Sequence, residues 1–461
     1  MSFYINCVSG GDFKVAIPLE KTIESLFENK KYKTLRDVLS VTNEVDIAEL
    51  FAQLPSKSIP VLFRLMPKEL AAATFTLMES EHQELLIKSF SDNELKEVFD
   101  ELYVDDMVEI IEEMPANVVN RILINSDAQT RHTINEILKY PEDSAGSLMT
   151  IEYISLRPKM SVDEAIKRIR RTVKDKGNIY DCFVTDENRI LLGRISIKSI
   201  LLADHNDIIE KIMDSSPVYV TTTTDKEDMY KTMSKYDSAI LPVVDEETRL
   251  VGIVTFDDAI DVMQDETTED IEKMAAIAPT DDEYFNTSDI KHAKSRIIWL
   301  LILMLGAAVT GMLISSYETA FATMPILVSF MPMIMSTGGN CGAQTSTLII
   351  RGMSVDEIHP NDFFKVLWME FRISLVISIV LAILNAIRII ISYHNIMLAT
   401  AVSLAIIGTV IISQAIGCLL PMLAKKIKLD PAVMATPLIT TLVDTASIII
   451  FFNIANALFK F

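Results

Sequence analysis

One aspartate, Asp444, lies a third to halfway along an otherwise apolar stretch, LDPAVMATPLITTLVDTASIII, with the surroundings of a ligand for a hard cation. Pro437, Thr441 and Asp444 are four and three residues apart and share one helical face, and Thr440 lies one turn before Asp444. Pro437 has no amide hydrogen, which frees a carbonyl near residue 433 and puts backbone oxygen on the carboxylate's route. A second apolar stretch contains PMIMSTGGNCGAQTSTLIIRG, in which Asn340, Gln344, Thr345, Ser346 and Thr347 each need a partner away from hydrocarbon. Gly338, Gly339 and Gly342 allow close backbone approach, or an opened helix that aims carbonyls at an ion. Oxygen ligands without thiolate or imidazole favour magnesium, calcium or manganese over zinc or copper, and His359 and His394 fall in or beside loops. Three plainer readings stay open: polar glue between helices, a protonated aspartate, and a proton relay drawing on Glu370 and Arg372.

A different kind of cation chemistry is written into FDDAIDVMQDETTEDIEK. Asp257, Asp258, Asp261, Asp265, Glu266, Glu269, Asp270 and Glu272 precede the first basic residue, Lys273. Like charges three or four apart on a helix destabilise it by about 0.2–0.5 kcal/mol per pair. Bound divalent cations would compensate, and the alternative is a merely solvated acidic helix. Further upstream, Asp92, Asp105 and Asp106 begin or lie near helix starts, where capping and first-turn electrostatics also account for carboxylates.

The elements that must position these groups belong to two solvents. Residues 1–290 hold 31 Lys plus Arg against 56 Asp plus Glu, a balance of −25, whereas residues 291–461 hold 11 against 7, a balance of +4. The acidic part does not suit nucleic acid or an anionic membrane surface, and a cation is its natural partner. Five apolar stretches, near 297–316, 325–349, 366–391, 397–421 and 433–457, are each long enough to cross a lipid bilayer. Lys291, Lys294, Arg296, Arg351, Lys365, Lys425, Lys426 and Lys428 flank one side, and Arg388 and Lys460 the other. The basic-residue bias then puts the amino terminus in the cytosol and the carboxyl terminus outside. The start reads as no cleaved leader, and Cys7, Cys182, Cys341 and Cys418 have neither disulfide-framework nor zinc spacing.

Residues 146–264 contain two similar halves. Met149, Leu156 and Ala165 match Met213, Val220 and Met229, and Asp186 and Gly193 match Asp245 and Gly252. Each half alternates short strands with a helix, as a sensor pair does rather than an enzyme core. Residues 35–135 read as short apolar-periodic helices punctuated by phrases such as MPKEL and MPANV, a small helical superhelix. The phosphate-binding GxxxxGK[ST] is absent. Inward flux has no need of it, because a dication gains about 4.6 kcal/mol per 100 mV of interior-negative potential.

These motifs carry a resemblance. Met331, Pro332, Gly338, Gly339, Asn340, Gly342, Gln344, Thr347, Arg351 and Gly352, together with Asp430, Pro431, Ala432, Pro437, Thr440, Thr441 and Asp444, resemble the bacterial MgtE family of magnesium transporters over nearly the whole chain. The resemblance implies a multidomain α-helical membrane protein: a segment 1–34 left unassigned, a helical superhelix at 35–135, a tandem CBS (α/β) module at 146–204 and 209–264, an acidic connecting helix and linker at 265–290, and a five-span transmembrane pore domain at 291–461. It implies a homodimer in a bacterial inner (plasma) membrane with a channel-like Mg2+ pathway past Asp444, Asn340, Thr441 and Ala432, and no enzymatic activity. It also implies closure by cytosolic Mg2+. The phrase TEDI at 268–271 gives Glu269 and Asp270 regulatory metal roles, with Asp258, Asp261 and Glu266, then Glu227 and Asp237, as further ligands and Asp105 or Asp106 facing them. Some relatives bind ATP in the CBS cleft, with no residues assigned to it here. Many have glycine where this chain has Ser447. The competing functions are a secondary transporter of Co2+ or Mn2+ and a nontransporting Mg2+ receptor.

Overall fold

The computed structural model describes residues 4–5, 17–172, 180–280, 284–285, 287–434 and 436–459. The chain divides into two compact units, Met1–Met263 and Gln264–Phe461. Part of the unassigned amino-terminal segment, 1–3 and 6–16, and Cys7 with it, lies outside the described residues.

The first unit begins with short helices, α1 (Leu19–Glu28) through α10 (Ala128–Ile137). Their shortness is written in their ends. Asn43, Ser91 and Asp127 accept hydrogen bonds from the first-turn amides of the helices they start, and Pro67 and Pro115 stand as N-caps where a preceding helix cannot continue. One apolar face per helix remains, and these faces meet in a core containing Phe51, Phe75, Leu86, Phe99, Ile111 and Ile134. The first helix already contributes Leu19 and Ile23 to it, so the helical domain begins well before residue 35.

A short antiparallel pair, β1 (Tyr4–Ile5) with β2 (Ile17–Pro18), precedes the helices, and the duplicated region, with helices α11 (Val162–Thr172), α12 (Ile197–Leu202), α13 (Ile209–Ile212) and α14 (Lys226–Lys235), forms two three-stranded sheets. Strand β3 (Ser155–Leu156) pairs parallel with β4 (Asp181–Thr185), which pairs antiparallel with β5 (Leu191–Ser196). Strands β6 (Val220–Thr221), β7 (Ile240–Val244) and β8 (Leu250–Thr255) repeat that order and the same register irregularity. The lead-in segments are exchanged between halves. Thr150 bridges Ile253, and Asp214 bridges Arg194. A Cβ on Gly252 would strike Met149, and one on Gly193 would strike Met213. The two matched glycines therefore leave room for the two matched methionines, each from the opposite half.

Helix α15 (Phe256–Met274) runs from the first unit into the second. The second unit then holds α16 (Asp289–Ser315), the short α17 (Glu318–Thr323), α18 (Met331–Ser354), α19 (Phe363–Tyr393), α20 (Ile396–Lys426) and α21 (Thr436–Phe459). Among the described residues four helical segments, 289–315, 360–393, 396–426 and 431–459, are long and apolar enough to cross a membrane. Helix α18 has 24 residues, about 36 Å at 1.5 Å each, so its length suffices, but its amides and hydroxyls set it apart from those four. It packs against α20 and α21. A Cβ on Gly417 would collide with the Gly342 carbonyl, so α18 and α20 touch backbone to backbone where both sequences are glycine.

Candidate cation pathway and acidic sensor

Helix α21 begins at Thr436 after a short 3-10 turn, Pro431–Met434. Pro437 therefore lies in the first helical turn, and the carbonyl it leaves unpaired near residue 433 belongs to the preceding 3-10 turn rather than to the helix interior. The hydroxyls of Thr440 and Thr441 both donate to the Pro437 carbonyl, at 2.9 and 3.0 Å. That fixes both side chains along the helix and leaves their oxygen lone pairs unused by those bonds. Thr440 packs on Gly339 of α18, and Thr441 on Gly306 of α16. One turn on, Thr445 meets Thr310 of α16 at 2.9 Å. Asp444 is half-buried among these contacts, and among the described residues no donor or cation pairs with it.

The polar residues of α18 separate by face. Thr345 and Ser346 turn inward, and Thr345 donates to Glu370 of α19 at 3.0 Å. Asn340, Gln344 and Thr347 are exposed on the single chain, and Ser336, four residues before Asn340, extends the same stripe. The spacing that groups Asn340 with Gln344 also reaches Ser336, which the sequence reading left out. Glu370 is buried against Thr345, whereas Arg372 is exposed and lines a separate shallow pocket with Met369 and Val376. Asp444 is carried by α21, which packs on α16, α18 and α20. Ser447 is also accounted for: its hydroxyl donates to the Val443 carbonyl at 2.6 Å and lies against Gly338. It is buried between α21 and α18.

In the first unit a group of carboxylates gathers where α8 (Val104–Glu113) meets the start of α15. Asp105 is pushed up to about 6, by burial first and then by Asp106. Asp106 is also raised to about 6, by burial and then by Asp258 and Asp257. Asp258 rises to about 6 through burial, Asp257 and Asp105. Asp261 is raised by burial and Asp257. Glu109 keeps an exposed flank, yet desolvation, then Glu113, Asp106, Asp258 and Asp261, push it up to about 7. Every charged group among these causes is an acid. Asp258 also accepts from the Thr255 hydroxyl and amide at the start of α15, and Asp105 has a bond from Thr150. The other Asp105 oxygen, Oδ1, is buried and meets no donor.

The remaining sequence candidates are placed elsewhere. Glu227 pairs with Lys231 at 2.7 Å within its own helix, Lys226–Lys235. Asp237 occupies a left-handed turn, φ 47°, just beyond that helix. Neither is among the charges acting on Asp105, Asp106, Glu109 or Asp258. Glu269 pairs with Lys273 at 2.6 Å, and Glu266 and Asp270 lie on the same stretch of α15. Glu109 was missed by the sequence reading, although it stands three and four residues after the two aspartates it joins.

Among the described residues no three His, Cys, Asp or Glu side chains close into a metal cage. A hydrated Mg2+ does not need one, because it keeps several waters and takes one or two carboxylates. The unmet Asp105 oxygen inside an all-acidic group suits such an ion. The raised values carry a sign. Between the ordinary carboxylate range near 4 and about 6–7, the folded protein holds more protons than the unfolded chain, so the α8–α15 contact loses stability as pH rises through that window. Without divalent cations, the protection of amides in residues 104–113 and 256–263, taken relative to their intrinsic exchange at each pH, is expected to be higher at pH 5 than at pH 8, and millimolar Mg2+ at pH 8 to restore it. Protection indifferent to both would contradict the sensor.

Known proteins match over nearly the whole chain. A family model described as a divalent cation transporter, MgtE, matches residues 331–454. The MgtE intracellular N domain matches residues 42–143, and CBS domains match 145–206 and 209–265. A magnesium transporter MgtE from Thermus thermophilus is 33% identical over 97% of this chain and 99% of its own. One from Bacillus subtilis is 30% identical over 94% and 95%. A crystal structure of the cytosolic domain of the Mg2+ channel MgtE in complex with ATP superposes over 53% of this chain and 100% of that one, at 35% identity and a TM-score of 0.51. With helical, CBS and apolar helical regions in the same order over that full length, this chain is a multi-pass membrane protein belonging to the MgtE family of magnesium transporters.

Proposed function

We propose that this protein carries Mg2+ inward, down the membrane potential, through a pore that cytosolic Mg2+ closes. In this reading α16, α18, α19, α20 and α21 are five spans of a plasma membrane protein, with the first unit in the cytosol and the carboxyl terminus outside. Two copies place two Asp444 carboxylates along one path, with Asn340, Thr441 and the Ala432 carbonyl as further oxygen ligands. Each ligand acts on an ion that keeps much of its water. The observation that carries the reading is the uncovered stripe Ser336, Asn340, Gln344 and Thr347, on a helix of bilayer length packed against the helix that holds Asp444. Such a stripe facing lipid would leave amides and hydroxyls unsatisfied in hydrocarbon. A wet path removes that penalty.

Closure is assigned to Asp105, Asp106, Asp258 and Asp261, joined by Glu109, and to Glu266, Glu269 and Asp270 further along α15. Glu227 and Asp237 stay as secondary candidates in a magnesium-loaded form. Cations between these acids favour one arrangement of the cytosolic domains, and α15 conveys it to the spans by linkage. The CBS pair remains a candidate ATP site, by analogy with the ATP-bound relative. The test is flux into liposomes with purified protein at a set potential, comparing Mg2+, Mn2+, Co2+ and Ca2+ with and without proton or sodium gradients. Mg2+ flux that follows potential alone is expected. Flux that requires a proton or sodium gradient favours the secondary transporter, and no flux favours the receptor.

A further inference from the structure

Lys273 is the first basic residue after Arg249, following eight acids on α15. A lysine there could be satisfied locally by Glu269, one turn back, and at 2.6 Å it is. Its ammonium also reaches Asp430, 157 residues later, at 2.7 Å. The pair is only partly open to water, with 22% of the Lys273 side chain and 35% of the Asp430 side chain exposed. The second oxygen of Asp430 accepts the Ala432 amide at 2.8 Å, which starts the 3-10 turn Pro431–Met434 just before α21. One carboxylate thus holds the connecting helix with one oxygen and shapes the entry to the Asp444 helix with the other. The end of α15 is fastened on its other side as well. Ala276 turns left-handed, φ 57°, the Ile277 and Thr280 amides donate back to Glu272, and the Ala278 amide donates to the Ser295 carbonyl of α16. Movement of residues 264–274 therefore cannot leave the start of α21 undisturbed while the ion pair stands.

We propose that Lys273 is a positioning residue for gating: its ammonium, shared by Glu269 and Asp430, mechanically links the connecting helix to the turn that begins the last span. The proposal rests on the gating reading above and adds the contact through which closure reaches the pore. The experiment is a double-mutant cycle in full-length protein, Lys273→Gln, Asp430→Asn and both together, with Lys273→Arg as the charge-keeping control. Patch recordings give the cytosolic Mg2+ concentration for half-closure and the maximal current at zero cytosolic Mg2+. Each single substitution is expected to raise the half-closing concentration about tenfold, and the double to do no more than either single, because all three break one contact. Lys273→Arg is expected to stay close to the parent. Additive effects, or a half-closing concentration within about twofold of the parent for Lys273→Gln, overturn the proposal. Parent current that Mg2+ does not close would overturn the gating reading instead. Hydrogen exchange on the same proteins separates the cases: residues 269–274 and 430–434 are expected to lose protection together in Lys273→Gln and keep it in Lys273→Arg, and unchanged exchange overturns the link itself.

Discussion

Replacing Asp444 by Asn is expected to reduce Mg2+ flux by at least about a hundredfold while the protein still reaches the membrane. The magnitude follows from charge. At an effective dielectric of about 20, a unit charge about 4 Å from another is worth about 4 kcal/mol, and each 1.4 kcal/mol of lost stabilisation along the path is about a factor of ten. A dication held through water loses a good part of that interaction when the carboxylate becomes an amide of the same shape. The substitution should be mild for folding, because Asp444 is half-buried and has no partner to orphan among the described residues. Radiotracer or fluorescent uptake with a surface-expression control checks the prediction. Flux within about threefold of the parent at equal abundance would remove Asp444 from the pathway.

The second large effect concerns closure. Neutralising Asp105 and Asp258 together, as Asn at both positions, is expected to raise the cytosolic Mg2+ needed for half-closure by more than about tenfold and to leave the current at zero Mg2+ unchanged. The two carboxylates repel each other and are raised mainly by burial, so replacing both removes a repulsion and a cation site at once. The stability that Mg2+ adds to the contact is therefore expected to fall, which weakens closure by Mg2+. The corresponding slope is a loss of Mg2+ dependence in the hydrogen exchange of residues 104–113. A pair of amides that leaves the Mg2+ response intact would show that the acid group is a solvated surface.

Local pattern made several features readable in the sequence and left others out of reach. The duplication was readable because Met149 matches Met213 at an offset of 64 residues and, after a five-residue surplus in the first half, Gly193 matches Gly252 at 59. The exchange of those methionines between halves was not, since it depends on which strand each lead-in segment joins. Polar character in α18 was plain from composition, but the division between Thr345 turned inward and Asn340 left uncovered depends on the packing of α19, α20 and α21 around it. Span five reads from residue 433 by hydropathy, whereas α21 starts at Thr436 because the Asp430 carboxylate holds the preceding residues in a 3-10 turn. Glu109 was within reach, being on the same helical face as Asp105 and Asp106. No periodicity links Lys273 to Asp430 at a separation of 157 residues.

The most direct measurement is the reversal potential of current through the purified protein in a bilayer with Mg2+ as the permeant cation and a stepped Mg2+ gradient. For passive passage of a doubly charged ion the account predicts a shift of about 30 mV for each tenfold change in the gradient, lost together with the current in Asp444→Asn. A reversal potential that ignores the Mg2+ gradient and follows protons or sodium would contradict it.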